Sequence, residues 1–147
     1  MAAGDWTVFN IAKKKIGDGT FDMDSHTFKM ALTTSAQALA DTFAGTSTDC
    51  RYADLTDEVA SGGGYTTGGK TLTATWTRAT GTVTFDCDDQ AWTSSTITAR
   101  YAVIYDSTDA NAGLLCFCLL DSAPADVSTV SGTLTVTINA SGVFTLA

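Results

Sequence analysis

Apolar residues alternate with threonines along much of the second half of this chain. Leu72, Ala74 and Trp76 alternate with Thr71, Thr73, Thr75 and Thr77. Val83, Phe85 and Cys87 alternate with Thr82, Thr84 and Asp86, and Leu134, Val136 and Ile138 with Thr133, Thr135 and Thr137. A period of two sends successive side chains to opposite faces, so each run predicts a half-buried strand with a wet threonine face. Thr96–Tyr105 (TITARYAVIY) begins in the same way and ends apolar on both faces, and Gly113–Leu120 (GLLCFCLL) is apolar throughout. Both predict strands inside the core. Val143–Leu146 predicts a short edge strand. Upstream, Phe28, Met30 and Leu32 alternate with Thr27, Lys29 and Ala31, after a first alternation at Phe21 and Met23. A strand interrupted by a turn or bulge at Asp24-Ser25 is expected there.

The period changes at the start of the chain. Trp6, Phe9, Ala12 and Ile16 recur at helical spacing, which predicts a short helix over 5–16. Asp5 is its expected cap, the Lys13-Lys14-Lys15 run favours its C-terminal end, and Gly17 closes it. Residues 34–69 show no sustained period. They are rich in Ser, Thr, Ala, Gly and Asp, with a helical turn expected within Tyr52–Val59. The chain thus divides into an N-terminal arm and helix (1–18) and one β domain (19–147) carrying a long loop at 34–69. A loop of that length is usually functional or held by a partner. The expected fold is mainly β: a two-sheet antiparallel sandwich or jelly roll of about eight strands, with a short N-terminal helix.

Composition agrees with an ordered β protein. Among 147 residues there are 27 threonines, 13 glycines and one proline, and only 16% are charged. The net charge of −8 argues against a nucleic-acid surface, which needs clustered Lys and Arg. No apolar run approaches the roughly 20 residues that span a bilayer, and MAAGDWTVFN lacks the basic start and apolar block of a signal peptide. Synthesis in the cytoplasm is expected. Cys50, Cys87, Cys116 and Cys118 form no C-x-x-C pair, so buried reduced thiols are expected.

One stretch invites a sharper reading. Gly64, four residues, then Gly69-Lys70-Thr71 match the phosphate-loop pattern G-x-x-x-x-G-K-[ST]. A phosphate loop needs a buried strand before it and a helix after it. Here DLTDEVAS precedes the glycines and a strand pattern follows Lys70. The expectation is a glycine loop that supplies positive φ angles ahead of a strand.

The other candidates are weaker. His26 is the single histidine, and it offers no Ser-His-Asp or Cys-His set without itself. Asp86, Asp88 and Asp89 lack the spacing of a calcium loop, as do Asp18, Asp22 and Asp24, so turn carboxylates are expected. The threonine rows resemble ice-binding ladders but show no fixed repeat. Trp76 and Trp92 offer stacking faces for sugars; Trp92, beside an acidic turn, is the candidate for surface recognition. No catalytic, cofactor or metal-binding residue is assigned.

The order KKKIGDGTFDMDSHTFKMAL, VASGGGYTTGGKTL, FDCDDQAW and TITARYAVIYD resembles a group of small structural virion proteins of tailed bacteriophages. The similarity covers roughly residues 9 to 120, and GGGYTTGGKTL and TITARYAVIYD are its most specific pieces. It implies a non-enzymatic capsid decoration, or cement, protein on the outside of the head, bridging major capsid subunits. Expected contacts are Trp6, Phe9, Lys13 and Lys14 of the N-terminal segment and Gly63, Gly64, Tyr65, Gly68 and Gly69 of the glycine loop. The runner-up is a tail or fibre component that recognises host glycans. A homotrimer is expected, because lightly charged strand edges favour pairing and a shell offers many local threefold points.

Overall fold

The computed structural model describes residues 4–39 and 50–147. Expectations that touch residues 1–3, at the tip of the arm, and residues 40–49, within the long loop, fall outside the described residues. The chain is mainly β and antiparallel, as the alternation requires. Its elements are β1 (Thr7–Val8), helix α1 (Asn10–Gly17), β2 (Phe28–Thr33), a 3-10 turn (Tyr52–Asp54), β3 (Lys70–Thr71), β4 (Ala74–Ala79) and β5 (Thr82–Cys87). Then come β6 (Gln90–Ser95), β7 (Thr98–Ala99), β8 (Tyr101–Asp106), β9 (Leu114–Leu119), β10 (Val127–Ser128), β11 (Gly132–Val136) and β12 (Phe144–Leu146).

One layer is a five-stranded sheet in the order β1-β9-β8-β2-β3. Its middle strand β8, with its neighbours β9 and β2, carries the longest apolar runs, and all three are buried on both faces. The second layer is assembled from shorter sheets, β12-β5-β4 and β11-β6, with the small pair β10-β7 beside them. Phe28 of β2 and Phe85 of β5, both fully buried, meet edge to face at 5.2 Å and join the layers of the sandwich. Aromatic pairs in that geometry add to the hydrophobic gain from burying both rings.

Several sequence expectations change in detail. The helix starts at Asn10, not at Asp5, and Phe9 is its N-cap residue without a side-chain bond. Residues 7–8 instead pair with Phe117 and Cys116 on β9, because that edge offers unpaired backbone groups. Gly4 N–H also donates to Leu119 O at 2.9 Å, so the segment from Gly4 lies along the sheet. Phe21 and Met23 are buried, but their segment runs as turns, held by Asp18 and Asp22 side chains accepting from nearby backbone N–H groups. The strand begins only at Phe28.

The threonine row at 71–77 splits into β3 and β4, one in each layer. Asp88 marks the break by accepting from Thr73 N–H at 2.8 Å. Gln90 opens a strand, β6, that the acidic turn at 88–90 does not announce. The described chain has eight strands of three residues or more and four two-residue strands. The threonines of β4 and β11 do occupy exposed faces.

Candidate functional site

The glycine loop is a tightly constrained surface feature. Gly62 and Tyr65 exchange backbone hydrogen bonds of 2.9 and 3.0 Å, which forces Gly63 and Gly64 into a two-residue tip. Both have positive φ, 56° and 85°, as primed turns demand. A second turn closes with Gly69 N–H donating to Thr66 O, and Gly68 and Gly69 again have positive φ. Two of these glycines also lack space for a side chain. A Cβ on Gly63 would lie 2.5 Å from Thr96 O, and one on Gly69 would lie 1.8 Å from Met30 O.

What fixes the loop is Glu58. Its Oε1 accepts from Tyr65 O–H at 2.6 Å and from Gly68 N–H at 2.7 Å, and its other oxygen accepts from Tyr52 O–H. Tyr65 oxygen accepts in turn from Leu32 N–H at 3.0 Å, so the loop is bonded to β2. Tyr105 O–H donates to Gly68 O at 2.7 Å, and its ring stacks on Tyr52 at 4.5 Å between centroids. Hydrogen bonds to a carboxylate are stronger than neutral ones, about 1.5–3 kcal/mol each.

Burial, and then the Glu58 charge, raise the ionisation of Tyr65 and Tyr52 well above the ordinary tyrosine range and that of Tyr105 to about 12. The three phenols therefore stay neutral donors. Accepting from these donors, the Glu58 carboxylate clamps the loop.

Lys70 completes the loop differently from a phosphate-binding lysine. It opens strand β3, where a phosphate loop has a helix. Its ammonium donates to Ala91 O and sits over the Trp92 ring, 5.4 Å from the centroid. Trp92 is 2% exposed and packs against Tyr65, so its expected role in surface recognition does not hold: the loop and Lys70 cover it.

The remaining candidates also brace the framework. His26 Nδ1 lies 2.5 Å from Oδ2 of the fully buried Asp106, whose Oδ1 accepts from Thr108 and Asp109 N–H. That pair ties the segment before β2 to the β8–β9 turn. Asp89 Oδ1 accepts from Ile138 N–H at 2.8 Å, and Asp86 Oδ1 from Cys87 N–H.

Of the expected partner contacts, Phe9 and Tyr65 are core residues, Trp6 is half-buried, and Lys13, Lys14, Gly63 and Gly64 are exposed. Gly68 and Gly69 are half-buried. The two groups do not form one site. Trp6 lines a cleft of about 650 Å³ with Asp5, Cys118, Asn139, Ser141 and Phe144, where the N-terminal segment meets the β11–β12 connection.

Sequence reasoning missed Glu58, Tyr52, Tyr105 and Asp106. Tyr105 and Asp106 meet their partners only through pairing between distant segments, and Tyr52 meets Glu58 across an irregular turn of six residues, so no periodic pattern marks them. Comparison with family models, curated proteins and solved structures returns no match for this chain.

Proposed function

We propose that this protein is a non-enzymatic structural protein of a tailed-bacteriophage virion. In this reading it decorates the outside of the head and bridges major capsid subunits. The observation that supports it is where the polar chemistry goes. Glu58 and Asp106 hold loops to the β framework, Asp88 and Asp89 join connections between strands, and Lys70 ties β3 to β6. Carboxylates and a lysine engaged by structural partners suit a rigid clamp, and rigid presentation of surface loops lowers the ordering cost of docking. The virion setting comes from the sequence resemblance. The exposed tip at Gly63-Gly64 and the exposed Lys13 and Lys14 are the surfaces assigned to the shell.

Reconstitution tests this. Recombinant protein is added to purified expanded heads that lack it, and bound copies are counted by quantitative mass spectrometry and located by electron microscopy. Saturable binding over the head surface, in hundreds of copies, is the expected result. Density confined to tails, or no binding to heads, refutes the decoration role.

A further inference from the structure

Strand β4 ends its sheet. Among the described residues, the order β12-β5-β4 leaves one side of Ala74–Ala79 without a strand. The register shows which backbone groups face outward. Ala79 pairs with Thr82 around the two-residue turn Thr80-Gly81, so the hydrogen-bonded pairs with β5 are Thr75/Asp86, Thr77/Thr84 and Ala79/Thr82. Phe85 agrees with this alternation, because its carbonyl accepts from Val143 N–H on the β12 side. The N–H and C=O groups of Ala74, Trp76 and Arg78 therefore point away from β5.

The inner face of this sheet also outruns its cover. Trp76, Phe85 and Phe144 form one row across the three strands, and Arg78, Val83 and Leu146 form the next. Phe85 is fully buried, Trp76 and Phe144 are half-buried, and Leu146 is 42% exposed. An open, lightly charged edge of this length beside an apolar overhang is a template for another strand.

We propose that the strand it takes is β4 of a second copy, paired antiparallel across a two-fold axis at Trp76. Outward-facing residues must pair with outward-facing residues. That register sets Trp76 against Trp76 of the second copy and Ala74 against Arg78 of the second copy. On the outer face Thr75 meets Thr77 of the second copy, both exposed in the single chain.

Four features favour a second copy as the occupant. The edge ATWTRA carries no carboxylate, so the pairing sets no acidic side chains of these net-negative chains against each other. Its one cation, Arg78, faces alanine rather than another arginine. The row Phe144–Phe85–Trp76 continues into the same row of the second copy, where the two indoles cover each other's exposed faces. Opposed Thr–Thr pairs add the cross-strand contacts typical of stable sheets. This two-fold pairing takes the place of the threefold arrangement expected from sequence, and it is independent of the virion reading.

Sedimentation equilibrium over a concentration series tests the pairing and its register. The unmodified protein is expected to give twice the chain mass. In Thr75→Lys/Thr77→Lys, like charges oppose each other twice on an exposed face, and dimerisation should weaken by about tenfold or more. Thr75→Lys/Thr77→Glu sets opposite charges in those same places and should restore the dimer. Circular dichroism and urea unfolding confirm that each variant folds, which the exposure of both positions favours. An unmodified chain that stays monomeric overturns the proposal. So do variants that dimerise equally well, a trimer unaffected by the lysines, or protection of residues 74–78 from hydrogen exchange only when heads are added.

Discussion

Replacing Gly69 with alanine isolates what the glycine loop contributes. Two costs add. Its φ of +72° lies in the left-handed region, where an L side chain costs about 1–2 kcal/mol. The new Cβ would also stand 1.8 Å from Met30 O, 2.6 Å from Met30 C and 2.8 Å from Ala31 Cα. These are backbone atoms of β2, so no rotamer change relieves the contact. The loop must move away by more than an ångström, which breaks or weakens Gly68 N–H to Glu58 and Tyr105 O–H to Gly68 O. One of these bonds is charge-assisted and the other neutral, which adds about 2 kcal/mol or more.

The total loss is therefore about 3–5 kcal/mol, or a fall in Tm on the order of 10 °C for a chain of this size. Gly81→Ala is the control. Gly81 has φ +88° but no atom within 4 Å of its ideal Cβ, so it carries the strain without the collision and should lose only about 1–2 kcal/mol. Urea unfolding followed by tryptophan fluorescence reads both variants. If Gly69→Ala costs no more than Gly81→Ala, the close approach of the loop to β2 contributes nothing and the reasoning fails.

Two further outcomes follow from ionisable groups whose titration the fold shifts. Tyr52, Tyr65 and Tyr105 ionise in the fold well above the ordinary tyrosine value of 10, with Tyr105 at about 12, so their contribution is intact below pH 10 and is lost as pH rises above it. The urea midpoint should fall between pH 10 and 12, and tyrosinate absorbance should appear together with unfolding; smooth titration of these phenols in the folded chain would contradict the clamp. Burial raises the Cys87 and Cys118 thiols to about 12 and Cys116 well above its usual range, so a maleimide at neutral pH should label these three only after denaturation, with rapid native labelling at Cys116 as the refuting result.

The alternation of apolar residues with threonine is a local signal, and it determined much of this protein. It gave the β class, the antiparallel layers, the buried runs of β8 and β9 and the exposed threonine faces. The glycines at 62–64 and 68–69 announced positive φ because other residues rarely adopt it. The strand signal after Lys70 likewise set this loop apart from a phosphate loop. Local pattern could not tell that Thr7 and Val8 leave the expected helix for the edge of β9, since the competing partner lies more than a hundred residues away. Nor could it bury Trp92, whose cover comes from Tyr65 and Lys70. Glu58 is the clearest case. Nothing beside it in the sequence marks it, yet folding brings Tyr52, Tyr65 and Gly68 to its carboxylate and Tyr105 to the Gly68 carbonyl. Secondary structure follows from side-chain period within a segment, whereas the turns that bring Tyr52, Tyr65 and Gly68 to Glu58 carry no such period, and Tyr105 reaches Gly68 from β8 only when distant segments pair.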